Sequence, residues 1–152
     1  MKKFIAAAAL TLALVGLPAA AEATTVPASL HPDVEYALDA VPGGVVIDEY
    51  HVVWPELGME LSAVPSFARA VGTCATGTFC AYSRADRGGT KLSWTTCTTV
   101  TPTGLSSVGS IANARSSGSV QARTSSGAVL ATASAGTSTN VYGTVSTIRC
   151  SS

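Results

Sequence analysis

The sequence is poor in the residues and motifs on which most catalytic and nucleic-acid-binding sites depend. Only two of its 152 residues are histidines, and only 12% are charged. It has no phosphate-binding glycine loop, no HExxH pair, no dinucleotide-binding fingerprint and no serine in a nucleophile elbow. The basic residues are dispersed, and few aromatic residues lie among them. We therefore expect a protein that is not an enzyme, has no catalytic residue, needs no cofactor or metal and does not bind nucleic acid.

Long apolar runs are also absent, except at the N-terminus. Lys2 and Lys3 precede an apolar run from Phe4 to Leu17, and a small-residue cleavage site follows at 21–23. Together these features predict a signal peptide over residues 1–23. The run is shorter than a membrane-spanning helix requires, and no later stretch approaches about 18 consecutive apolar residues. We expect a secreted, extracellular chain that begins near Thr24 and has no membrane association after export.

Charge divides the mature chain into two opposite halves. Residues 24–68 contain seven acidic and no basic residues, whereas residues 69–152 contain seven basic residues and a single acid, Asp86. Two solvated surfaces would explain this asymmetry, and so would intramolecular docking of the acidic half on the basic half, as a cap or as a propeptide. The composition predicts an acidic segment at 24–64, a linker at 65–72 and a second domain at 73–152.

The acidic segment shows the pattern of a small αββ unit. After Pro32, apolar residues recur at helical spacing, and Pro42, Gly43 and Gly44 end the predicted helix. A β-branched and aromatic strand over 45–54, a turn over 55–58 and a strand over 59–64 follow. On a single strand, Asp48 and His51 would point to opposite faces and would make a poor acid–base pair.

The remainder of the chain has the pattern of an all-β sandwich or small barrel. Serine and threonine make up 31 of the 80 residues from 73 to 152, which suits the exposed faces of strands and leaves few large side chains for a core. Short β-prone segments alternate with turn residues. The predicted strands are Thr78–Ser83, Thr90–Cys97, Val108–Ala114, Ser119–Thr124, Ala128–Ser134 and Asn140–Cys150.

Four cysteines compensate for the small core. Export permits disulfides, and four cysteines allow three pairings that the sequence does not separate. The preferred pairing is Cys74 with Cys80 and Cys97 with Cys150. The chain-entropy model gives about 2.4 kcal/mol for the shorter loop and about 4 kcal/mol for the longer one. A zinc site is the competing use of the four cysteines. The CxxxxxC spacing without a second CxxC pair fits zinc poorly.

One stretch is similar to a known family. Cys74, Gly77, Phe79, Cys80, Tyr82, Gly88 and Gly89, within CATGTFCAYSRADRGGTKLSW, resemble the first Greek key of βγ-crystallin-like domains. The flanking cysteines resemble those of a secreted actinobacterial family of peptidase inhibitors typified by a small metalloproteinase inhibitor. Within this motif, Gly89 would take a positive φ in a folded hairpin, and the ring of Tyr82 would be buried over it.

The resemblance covers roughly 73–150 and implies a βγ-crystallin-like Greek-key fold with disulfides, preceded by the αββ segment. Crystallin-type calcium sites place paired Asp or Asn before Ser or Thr, and the corresponding Ser106–Ile111 stretch lacks carboxylates. Calcium binding is therefore not expected.

The function that the resemblance implies is inhibition of an extracellular protease by a disulfide-held loop whose residues it does not identify, with a metalloprotease as the candidate target class. The alternative is a cell-wall, glycan-binding or antimicrobial module that uses an exposed Ser, Thr and Trp94 surface. A purely structural envelope protein is the third interpretation.

Overall fold

The computed structural model describes residues 29–64 and 73–152. The predicted signal peptide and the predicted linker at 65–72 lie outside these residues. The described chain contains one α-helix, eleven strands in two antiparallel sheets, and two disulfides. The prediction of a mainly β fold with disulfides is confirmed.

The helix predicted after Pro32 is α1, Pro32–Ala40. The ring Nδ1 of His31 accepts a hydrogen bond from the Asp33 N–H at 3.2 Å, which caps one of the free donors of the first turn. Proline at the first helical position suits this start. Val34 and Ala37 are fully buried, so α1 packs on the sheet through its apolar side.

The single strand predicted over 45–54 is wrong, because the structure divides it into a hairpin. Strand β1, Val45–Asp48, pairs antiparallel with β2, His51–Trp54, through a two-residue turn. Asp48 Oδ1 accepts the Tyr50 N–H at 2.8 Å, an Asx-type turn that needs no glycine. The acidic segment is therefore αβββ, with its last strand β3 at Met59–Ser62.

The sequence from 73 onward forms eight strands where six were predicted. The strand predicted to run from Asn140 to Cys150 is divided, and its first residue ends a separate strand, Thr137–Asn140. The eight strands are β4 Phe79–Tyr82, β5 Lys91–Trp94, β6 Thr99–Val100, β7 Ser110–Asn113, β8 Ser119–Arg123, β9 Val129–Ser134, β10 Thr137–Asn140 and β11 Thr147–Ser151.

The larger sheet has seven strands in the order β1-β2-β3-β5-β4-β7-β10, and the smaller has four in the order β6-β11-β8-β9. Strands β4–β7 and β8–β11 repeat one arrangement. In each set the first strand lies between the second and the fourth in one sheet. The third strand, β6 or β10, lies in the sheet of the other set. The exchange of third strands holds the two sheets together.

The acidic segment joins the larger sheet through one strand pair. Strand β3 pairs antiparallel with β5, placing Met59 opposite Trp94 and Leu61 opposite Leu92. The four side chains belong to one buried apolar cluster, which also contains Val34 of α1 and Ile148 of β11. One core therefore spans both oppositely charged halves.

Ion pairing does not explain this contact. Within residues 29–64 and 73–152, the two ion pairs found are His31 with Asp33 and His51 with Asp48, both inside the acidic half. The side-chain hydrogen bonds between the halves run from the buried Thr90 hydroxyl to the Asp33 carboxylate, and from the Ser93 and Thr95 hydroxyls to backbone carbonyls of β3 and the turn before it. Backbone pairing and apolar burial hold the halves together in this structure.

The disulfides join Cys74 to Cys80 and Cys97 to Cys150. The second bridge spans 53 residues and ties the segment before β6 to β11. The chain-entropy model makes this longer loop the more stabilising, at about 4 kcal/mol.

The shared core predicts that a cavity in the acidic half destabilises the whole chain. Leu61→Ala should lower the free energy of unfolding by about 2–5 kcal/mol, because it removes a fully buried side chain from that core. Urea unfolding followed by tryptophan fluorescence and circular dichroism measures this change. The matched control is Leu57→Ala, a residue 54% exposed, which should change stability by less than about 0.5 kcal/mol. Two separate unfolding transitions, with only one moved by Leu61→Ala, would contradict a shared core.

Candidate functional site

The Cys74–Cys80 disulfide closes a small ring whose tip is exposed. Ala75, Thr76 and Gly77 form the tip, and Gly77 has a φ of +85°. A Cβ at Gly77 would meet no atom within 4 Å, so glycine is required there by the backbone turn and not by crowding. We call residues 74–80 the disulfide ring.

Hydrogen bonds fix the ring in place. The Thr78 hydroxyl donates to the Ala75 carbonyl at 2.7 Å and closes the turn from inside. The Gly77 N–H donates to the Ala114 carbonyl at 2.9 Å, and the Ala114 N–H donates to the Thr78 carbonyl at 3.0 Å, which tie the ring to the end of β7. The tip is therefore exposed, while the ring is anchored at Ala114.

A second exposed turn follows β4. Asp86 and Arg87 both lie in the left-handed region, with φ of 54° and 59°. Asn140 holds Asp86 twice: its Oδ1 accepts the Asp86 N–H at 2.7 Å, and its Nδ2 donates to Asp86 Oδ1 at 2.9 Å. Ser110 Oγ accepts the Arg87 N–H at 2.9 Å and donates to the Arg84 carbonyl at 2.8 Å. We call residues 84–88 the pinned turn.

The ring and the pinned turn border one surface. Cys74 and Arg87 line a shared cavity of about 290 Å³, together with residues of β7, β10 and the turn before β10. Arg84 and Arg87 are exposed, and the Arg115 guanidinium donates to the Gly77 carbonyl at 3.4 Å. Asp86 is the acidic residue of the pinned turn, and the three arginines outnumber it. The surface therefore carries a net positive charge.

The sequence motif that resembles a Greek key includes Phe79, Tyr82, Gly88 and Gly89. Gly89 has a φ of +71°, and a Cβ there would lie 2.1 Å from the Ser83 hydroxyl oxygen, so this position admits only glycine. Gly88 is in extended backbone, with a φ of −89°. Tyr82 is fully buried, and Phe79 stacks on Trp94 with ring centroids 5.1 Å apart.

Trp94 does not form the exposed surface that the glycan alternative assigned to it. Its side chain is only 3% exposed, because the ring of Phe79 covers it and Met59 of β3 lies opposite it in the sheet. The pairing of β3 with β5 therefore contributes to the burial of Trp94.

The prediction that Asp48 and His51 point apart is also wrong. The hairpin turn brings His51 Nδ1 to 2.9 Å from both Asp48 carboxylate oxygens. Desolvation raises the pKa of Asp48, but hydrogen bonds from the Tyr50 N–H and from His51 outweigh it, and the pKa lies below the ordinary value. His51 also lies opposite Ser62 across the sheet. The Ser62 hydroxyl is buried and donates to Glu60 Oε1 at 3.4 Å, so the three residues do not form a serine–histidine–aspartate chain.

Metal-binding and membrane-spanning features are not seen in the described ranges. No three or more His, Cys, Asp or Glu side chains of residues 29–64 and 73–152 are grouped as metal ligands. Over the same residues, no helix has the length and apolar character needed to cross a membrane.

Comparisons with protein-family models, curated proteins and solved structures give no match to this chain.

Sequence reasoning missed the residues that hold the pinned turn. Asn140 lies 54 residues from Asp86, and Ser110 lies 23 residues from Arg87. Nothing in the local pattern marks either residue as a partner of the turn. Such contacts depend on the positions of β7 and β10 in the sheet.

The buried Tyr82 hydroxyl leads to a testable prediction about stability. It has no hydrogen-bond partner among the described residues. Desolvation raises the Tyr82 pKa above 10.0, and the positive charge of Arg87 only partly opposes the shift. Since the folded-state pKa is raised, stability is retained below about pH 10 and lost as pH rises through the folded-state value.

Tyr82→Phe should therefore leave stability at pH 7 unchanged or increased, because it removes an unpaired buried hydroxyl that costs about 1–3 kcal/mol. It should also reduce the loss of stability above pH 10. Urea unfolding at several pH values measures both effects. Tyr142→Phe, at a residue 80% exposed, is the control and should change neither. A loss of more than about 1 kcal/mol in Tyr82→Phe would show that the hydroxyl has a partner.

Proposed function

We propose that this protein is secreted and inhibits an extracellular protease by inserting the disulfide ring into the enzyme's substrate cleft. The observation that carries the proposal is the ring itself: an exposed three-residue tip closed by a disulfide and fixed by two backbone hydrogen bonds to Ala114, at the end of β7. A binding loop that is rigid before contact loses little conformational freedom when it binds.

The basic charge around the ring favours a partner with an acidic cleft. Arg115 donates a hydrogen bond to the ring at Gly77, and Arg87 lines the cavity that Cys74 also lines. Complementary charge raises the rate of association between proteins. An electrostatically assisted inhibitor therefore suits this surface.

The strand order supports the crystallin-like interpretation of the fold. In each four-strand set, the fourth strand lies beside the first, and the first lies beside the second. This is the spatial order of a Greek key whose third strand has moved to the facing sheet. Inhibition by the resembling family makes a metalloprotease the first target class to test.

Export is supported by the leader-like N-terminus and by the disulfides. Disulfides persist in oxidising compartments and are rare in the cytosol of most organisms. Both bridges in the described chain occupy all four cysteines, which suits a secreted product.

The test is a titration of purified residues 24–152 into a thermolysin-like zinc protease and a subtilisin-like serine protease. We expect inhibition of at least one enzyme, and we expect Thr76→Arg at the ring tip to weaken it by about tenfold or more, since the new side chain would not fit a filled cleft. The matched control is Ser125→Arg, the same charge added to an exposed turn of the smaller sheet, which should inhibit like the parent.

Intact mass and the unfolding midpoint of both variants verify that they are folded and oxidised. No inhibition of either enzyme at micromolar protein would contradict the proposal. Equal inhibition by the two folded variants would contradict the assignment of the ring.

A further inference from the structure

One concave surface lies away from the ring. A cleft of about 470 Å³ opens between α1 and the connections β6–β7 and β10–β11. Its volume is within the range of about 300–1,000 Å³ found for small-molecule sites. It shares no lining residue with the disulfide ring or the pinned turn, so whatever it binds is independent of the proposed inhibition.

Contacts within the protein hold the walls of the cleft in place. Tyr36 and Ala40, one helical turn apart, form the α1 wall. The opposite loop packs on the helix: a Cβ at Gly104 would lie 3.6 Å from the Ala37 Cβ. The Leu105 N–H donates to the Pro102 carbonyl at 3.0 Å and shapes that loop. The cleft is therefore preformed.

The chemistry of the lining is neutral and rich in hydroxyl groups. None of the lining residues is Asp, Glu, Lys or Arg, and six are serine or threonine. Ser107 donates to the Ser83 carbonyl at 3.0 Å. Within the described residues the side chains of the other five make no hydrogen bond, so their donors and acceptors are free for a ligand: Thr101, Thr103, Ser106, Thr144 and Ser146.

An aromatic ring lies at the same cleft. Tyr36 is 47% exposed, whereas Val34, Ala37 and Leu38 of the same helix pack inward. A tyrosine ring offers a flat apolar surface with a polar tip, while hydroxyl groups both donate and accept hydrogen bonds. A ligand complementary to the ring and to the hydroxyl groups has flat apolar faces and many hydroxyl groups, and it carries no charge.

We propose that this cleft binds a neutral oligosaccharide, with one sugar ring against Tyr36 and its hydroxyl groups bonded to the serine and threonine side chains. The specificity is for uncharged sugars, because no lining side chain compensates an acidic or basic group.

The probes are chitohexaose and cellohexaose, with an oligogalacturonide as the anionic comparison, each titrated into residues 24–152 by calorimetry and by NMR. We expect at least one neutral oligomer to bind, with shifts concentrated in residues 101–108 and 143–146. The anionic oligomer should bind at least about tenfold more weakly, because its carboxylates lose hydration without gaining a partner.

Tyr36→Ala should weaken binding by about tenfold or more, and Tyr36→Phe should retain most of it, because the ring and not the phenol makes the main contact. Tyr142→Ala is the matched control, since Tyr142 is 80% exposed but does not line the cleft, and it should bind like the parent. Absence of binding by both neutral oligomers at about 10 mM would overturn the proposal. Unchanged affinity in Tyr36→Ala, or equal affinity for the anionic oligomer, would also overturn it.

Discussion

The pairing of β3 with β5 is the interaction on which the rest of the structure depends. It places Leu61 opposite Leu92 and Met59 opposite Trp94, and it extends the sheet of the disulfide-bonded half by three strands. Without β3, strand β5 would be a sheet edge with unpaired backbone groups and a partly uncovered apolar face. Residues 73–152 alone have few large side chains, so the added strands and α1 supply much of the apolar surface that a stable core requires.

The same pairing explains why charge is a poor guide to how the two halves meet. The sequence separates seven acidic residues from seven basic ones, a pattern that favours electrostatic docking. The contact seen in the structure uses backbone hydrogen bonds, buried leucines and the Asp33–Thr90 hydrogen bond instead. The opposite charges remain at the surface, where solvent screens them. They are available to partners, and the basic surface around the disulfide ring is the clearest instance.

Local patterns predicted much of the fold, and long-range contacts account for the rest. The helix after Pro32, the strands β4, β5, β7, β8 and β9, and the positive φ of Gly89 all follow from periodicity or from turn chemistry. The turn after Asp48 was missed because it has no glycine and depends on one carboxylate. Strands β6 and β10 were missed because one is two residues long and the other, Thr137–Asn140, has no apolar alternation. The burial of Trp94, the hold of Asn140 on Asp86 and the cleft beside Tyr36 each need residues distant in sequence.

Native-state hydrogen exchange of residues 24–152 tests the central claim most directly, because it resolves the free energy of opening at each strand. A single core predicts that the amides of β3 exchange with the same free energy as those of β4 and β7. Exchange of β3 at a much lower free energy, with β4 and β7 still protected, would contradict the account and would show that the acidic segment opens independently of the disulfide-bonded half.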